Sequence, residues 1–182
     1  MSTDTLNPNF DQHKVKAKAP KVEELINECK SVMIASINED GSPLVSTAPY
    51  SRVGNEFQIL VSFMAKHTKN LRDRKKVSFM FVEDESSSKQ LYARHRLTIE
   101  TEAELIGKEN PLYDQAMVDL RERHGKVIEV LGNLEDFIMF NLKPIKGSYV
   151  NGFGSAYFID ENLQVIEHRH GAHGQHNVDV KK

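Results

Sequence analysis

The side chains with the most chemical reach gather in a few places along the chain. Near the C-terminus, His168, His170, His173 and His176 put four imidazoles within nine residues. Imidazole is a common metal ligand, and a Gly- and His-rich end is equally often a solvated terminus with incidental affinity for divalent ions. Asp136 stands in Leu134-Glu135-Asp136-Phe137, where a helix is expected to give way to a strand. A carboxylate there either serves a site or caps backbone N–H groups. Arg94 and Arg96 alternate, so on a strand they share one face, as site cations or as surface or interface ion pairs. Lys66, His67, Lys69 and Arg72 form a basic run that suits an anion or a solvated helix face, and His67 alone reads as a helix-surface or capping residue. Cys29 is the only cysteine, which rules out an intramolecular disulfide and argues against a Cys-based zinc site.

Composition narrows the classes of function. The chain has 182 residues, 24 Lys+Arg against 26 Asp+Glu, and a formal net charge of -2. Such a balance gives no general attraction to nucleic acid or to an anionic membrane surface. No apolar run approaches the roughly 18 residues of a spanning helix. The first twenty residues are polar, without the apolar stretch of a secretory signal. The expectation is a reduced, cytoplasmic protein with neither nucleic acid nor membrane as partner.

The elements that must position these groups follow from periodicity. Residues 1–20 read as a flexible arm, 21–160 as one domain, and 161–182 as a His-rich tail or loop. Val22, Leu25, Ile26 and Cys29 share one face of a helix over 21–30. Strands are expected at 32–37, 44–50 and 56–62, separated by Asn38-Glu39-Asp40-Gly41 and Gly54-Asn55 turns. A basic helix at 66–74, strands at 77–82 and 97–106, and helices at 111–125 and 127–131 come next. Pro111 suits the first turn of its helix. Separate closing strands are expected at 137–142, 147–151 and 156–159. Antiparallel strands with helices at the corners predict a mainly β fold with peripheral helices, a small Greek-key-like barrel.

Particular strings add to this. Ser62-Phe63-Met64-Ala65-Lys66-His67-Thr68-Lys69-Asn70-Leu71 followed by Val77-Ser78-Phe79 resembles the centre of the split β-barrel flavoproteins, the pyridoxamine-phosphate-oxidase-like proteins. Three further strings resemble the haem-utilisation branch of that superfamily, the HugZ/HutZ group. They are Glu83-Asp84-Glu85 through Arg94-His95-Arg96-Leu97-Thr98, then Leu134-Glu135-Asp136-Phe137, then Gly152-Phe153-Gly154-Ser155-Ala156-Tyr157, with a His-bearing tail behind them. The resemblance runs over about residues 22–176.

That resemblance implies a homodimeric split barrel binding haem at the subunit interface and degrading it with electrons from an external donor. It places His173 as the iron ligand, with His168, His170 and His176 as alternatives because the tail departs from the family pattern by a small gap. It puts Asp136 beside that ligand from across the dimer, Arg96 on the open face of the haem, and His67 near the pocket. Lys66, Lys69 and Arg72 are the expected partners of the haem propionates. A carboxylate accepting the ligand's second N–H fixes the ring and raises its donation to iron. Two rivals stand beside this expectation: an FMN-dependent oxidoreductase, since FMN in this fold is held by barrel side chains, and a haem carrier or storage protein without turnover.

Overall fold

The computed structural model describes residues 19–153 and 155–168. In order they form α1 (Ala19–Glu28), β1 (Ser31–Ile37), β2 (Pro43–Pro49), β3 (Ser51–Val53), β4 (Glu56–Ser62), α2 (Lys66–Arg74), β5 (Lys76–Val82), a 3-10 turn (Leu91–Ala93), β6 (Arg96–Ile106), α3 (Pro111–His124), α4 (Val127–Gly132), β7 (Phe137–Val150), β8 (Ala156–Ile159) and β9 (Val165–His168). The strands are joined in one antiparallel sheet of order β2-β1-β5-β6-β7-β4-β3, with β8 and then β9 added beside β7. The sheet curls into a half-barrel, the mainly β architecture with peripheral helices that the sequence predicts.

The core follows from strand alternation. In β1, Val32, Ile34 and Ser36 are buried while Met33, Ala35 and Ile37 face out. Inside the curl, Phe57 packs on Phe79 and Phe81 with ring centroids 5.0 and 5.4 Å away, and Tyr50 closes on Phe81 at 5.1 Å. Tilted and edge-to-face pairs of this kind contribute about 0.5–1.5 kcal/mol each beyond their buried area. Val22, Leu25 and Ile26 seat α1 on this core. A smaller cluster of Leu60, Ile106, Tyr113, Ala116, Leu120, Ile128 and Met139 seats α3 and α4 on the other end of the sheet. Asn110 begins α3 by accepting the Leu112 N–H at 3.0 Å, with Pro111 in the first turn, where a missing donor does least harm.

The expected closing strands 137–142 and 147–151 are one continuous 14-residue strand. Pro144 reads as an interruption, yet it lies where the β6–β7 register shifts: Glu100 faces Lys146 and Thr101 faces Pro144, leaving Ile145 as the extra residue. A bulge is where a strand tolerates a proline, because a ladder N–H is dispensable there. Gly147 then brings the backbones close, since a Cβ on it would stand 2.5 Å from the Thr98 carbonyl oxygen. Past this bend β7 changes partners. Its first half pairs with β4, from Phe137 opposite Ser62 to Leu142 opposite Phe57, and its last four residues pair with β8. Strand β9 was not expected from the sequence and carries the sheet to His168. Among the described residues no helix is long and apolar enough to cross a membrane.

Candidate functional site

The predicted polar residues occupy two places, one at each end of β7. At the first end, β4 runs into α2 through a tight corner. Thr68 donates its hydroxyl to the Ser62 carbonyl at 2.7 Å, and the Ala65 N–H reaches the same carbonyl at 3.1 Å. The buried Asn70 amide grips Ser36 Oγ and Asn38 Oδ1, each at 3.0 Å, and ties α2 to β1 and to the turn behind it. Asp136 sits against this corner. Its backbone carbonyl accepts from the Phe63 N–H at 2.5 Å, and its side-chain Oδ2 accepts from the Ser62 hydroxyl at 3.0 Å. The carboxylate thus faces a hydroxyl of the neighbouring strand, on an exposed residue.

The basic run divides by environment. His67, in the first turn of α2, is half-buried, and desolvation holds its pKa below the usual imidazole range. It is therefore neutral at pH 7 and able to accept a proton or a metal. Lys66 and Lys69 line a cleft of about 330 Å³ with Asn38, Glu39, Asp40 and Asn70. Lys69 pairs with Glu39 at the surface, an exchangeable contact of small net value. Arg72 stands over the Phe63 ring at 5.2 Å.

At the other end of β7, Arg96 opens β6 opposite Val150. Its guanidinium is half-buried and donates to the Arg94 carbonyl at 3.1 Å. Arg94 does different work: its Nε reaches the Glu83 carbonyl and its Nη1 the Glu85 carboxylate at 3.0 Å, which anchors the segment after β5. Arg94 also lines a cleft of about 640 Å³ with Cys29, Met33, Met80 and Glu83. Burial raises the Cys29 thiol pKa, so that sulfur is a packing group and not a ready nucleophile.

His168 lies in β9 with its ring 5.0 Å from Tyr157 in an edge arrangement, and Tyr157 leads to Tyr149 at 6.4 Å. This row is fixed by register, Tyr149 opposite Tyr157 and Tyr157 opposite His168. Burial pushes the Tyr149 phenol up to about 12. His170, His173 and His176 lie outside the described residues, as does Gly154.

Each polar end is flanked by large apolar side chains left in solvent. Beside Asp136 these are Phe63, 53% exposed, and Met64, 84% exposed. Beside Arg96 they are Leu91 and Tyr92 in the 3-10 turn and Phe153 in the turn after Val150, with Tyr92 83% exposed. Exposed apolar side chains grouped beside fixed charge mark surfaces that a ligand or a partner can cover. Sequence reasoning missed Ser62 as the partner of Asp136. Only the β4–β7 register, which sets Ser62 against Phe137, brings the two together.

Comparison with known proteins gives a consistent lineage. Residues 19–151 match the pyridoxamine 5'-phosphate oxidase family. Heme oxygenase HutZ of Vibrio cholerae is 38% identical over 138 residues, 76% of this chain and 78% of that one. The crystal structure of HutZ from Vibrio cholerae, described there as a heme storage protein, superposes with a TM-score of 0.65 at 36% identity, over 69% of this chain and 88% of the other. ChuZ of Campylobacter jejuni superposes with a TM-score of 0.76 at 25% identity, covering 93% of this chain and 68% of that one.

Proposed function

From the premise that the chain belongs to the HugZ/HutZ family of the pyridoxamine 5'-phosphate oxidase-like superfamily, we propose that it binds haem as substrate between two copies and degrades it oxidatively, releasing iron. The observation that carries this reading is the placement of Arg96 and Asp136 at opposite ends of β7, each beside exposed apolar side chains. In one chain the 14-residue length of β7, about 45 Å at the usual rise per residue, lies between these two half-sites. A second copy related by a two-fold axis brings the Arg96 end of one to the Asp136 end of the other and makes two equivalent sites. Met33, Ile37 and Val45 give the outer face of β1 and β2 an uncovered apolar surface that the same pairing buries.

Within such a site each side chain has a distinct task. The His173 imidazole holds the iron on one face, and the Asp136 carboxylate of the second copy accepts the ring's remaining N–H, which fixes its orientation. Arg96 keeps its charge at any working pH and directs hydrogen-bond donors at the open face. Lys66 and Lys69 pair with the propionates, Lys69 exchanging Glu39 for that partner. His67, neutral at pH 7, sits at the same corner. Dioxygen is the oxidant and an external donor supplies the electrons that activate it, while the protein orients the substrate.

The test is a hemin titration of the apo-protein followed optically, with His173→Ala beside the wild type. A sharp Soret band saturating at a fixed ratio per subunit, lost in the variant, is the expected result. Ascorbate under air should then bleach it. A band that forms but survives ascorbate and air makes the protein a carrier, a reading favoured by the description of HutZ as a storage protein. A protein that binds FMN in place of hemin overturns the proposal in favour of a flavin-dependent oxidoreductase.

A further inference from the structure

The corner at the start of α2 contains a hydrogen-bond relay that the roles above leave unused. Ser62 ends β4, and its hydroxyl has two neighbours. It accepts the Met64 backbone N–H at 3.2 Å and lies 3.0 Å from Asp136 Oδ2. A hydroxyl has one proton to give. With the Met64 N–H directed at its lone pair, the proton is left to point at the carboxylate, so donor and acceptor roles are fixed.

The rest of the corner makes Ser62 a firm base for that bond. Its carbonyl takes two donors, Thr68 Oγ1 and the Ala65 N–H, and it stands opposite Phe137 in the β4–β7 ladder. The adjacent Phe63 N–H holds the Asp136 carbonyl at 2.5 Å. Backbone and side chain of Asp136 are therefore both tied to residues 62 and 63.

We propose that Ser62 is the positioning residue of Asp136. By engaging Oδ2 it holds the carboxylate in one rotamer and leaves Oδ1 as the oxygen that meets the imidazole of the iron ligand. This rests on the reading of Asp136 given above. Without the tether, an exposed aspartate samples several rotamers, and the partner imidazole loses a fixed acceptor.

The experiment pairs a measurement on the apo-protein with one on turnover, using Ser62→Ala, Ser62→Thr, Asp136→Asn and the Ser62→Ala/Asp136→Asn double variant. In apo-protein, three-bond Hα–Hβ couplings of Asp136 should show one rotamer in wild type and Ser62→Thr, and averaging in Ser62→Ala. In turnover of hemin with ascorbate, Ser62→Ala should lower kcat by about tenfold, the scale for losing an outer partner of a metal ligand, with KM little changed. Ser62→Thr should restore it. In the Asp136→Asn background, Ser62→Ala should cause no further loss, because its effect passes through Asp136. Unaveraged couplings in Ser62→Ala, or losses that multiply in the double variant, overturn the proposal. Averaged couplings with Asp136→Asn turning over normally overturn the reading of Asp136 while leaving the tether standing.

Discussion

Asp136 and Arg96 stand at the two ends of β7, one just before Phe137 and the other opposite Val150. Along the strand they are separated by about 45 Å at the usual rise per residue. The family resemblance assigns both groups to one site, and under the proposed function a second copy completes that site.

This separation makes a complementation prediction. If two copies share the site as proposed, Arg96→Ala and Asp136→Asn alone should each lower haem turnover by about a hundredfold, leaving a measurable residue. Mixed in equal amounts and allowed to exchange, half of the dimers are heterodimers, each with one intact site, so activity should recover to about a quarter of wild type by the statistics of a two-fold pair. Mixtures as inactive as the parents would show that the site is not shared.

The register of β4 against β7 is tied by a largely buried polar chain at the end of the ladder away from Asp136. Gln58 donates to Asn141 Oδ1 at 2.9 Å, Asn141 donates to Glu56 Oε2 at 2.6 Å, and Ser51 donates to Gln58 Oε1 at 3.0 Å. Gln58→Leu strands the groups around it and should cost about 1–3 kcal/mol. The expected signature is a lower denaturation midpoint in urea, with weaker protection of the amides of β4 and β7 from hydrogen exchange. A midpoint equal to wild type would remove the chain as a register lock.

At the bend of β7, Gly147→Ala should destabilise by about 1–3 kcal/mol through overpacking against the Thr98 carbonyl and the Ile99 Cα. Unlike a generic loss of stability, it should also lower protection of the β6–β7 ladder selectively near Thr98. Equal thermal midpoints for variant and wild type would contradict the close approach.

The pH dependence is tied to His67. Desolvation lowers its folded pKa below the unfolded value, so between the two values the unfolded chain binds more protons and stability rises with pH. The contribution is complete above the unfolded pKa and is lost as pH falls through the folded one. Denaturant midpoints of wild type should therefore drop more between pH 7.5 and pH 5.5 than those of His67→Gln. Parallel profiles would mean that His67 is solvated.

Much of this protein was written in its residue pattern. Alternation and turn residues determined most strands, and Asn110-Pro111 determined the start of α3. The strings around Arg96, Asp136 and Gly152 determined which family to expect. Pattern failed where a local signal was overruled. Pro144 reads as a break, but pairing with β6 on one side and β4 then β8 on the other holds β7 together through a bulge. Strand β9 is too short to declare itself, and it forms because β8 offers an open edge. The Ser62–Asp136 bond spans 74 positions, and no local periodicity can specify a contact of that range. It exists because β4 and β7 align Ser62 with Phe137. The sequence by itself determined which groups are chemically competent, since that is a property of side-chain type. Which of them can meet is a matter of register and strand length, and only the tertiary structure decided it.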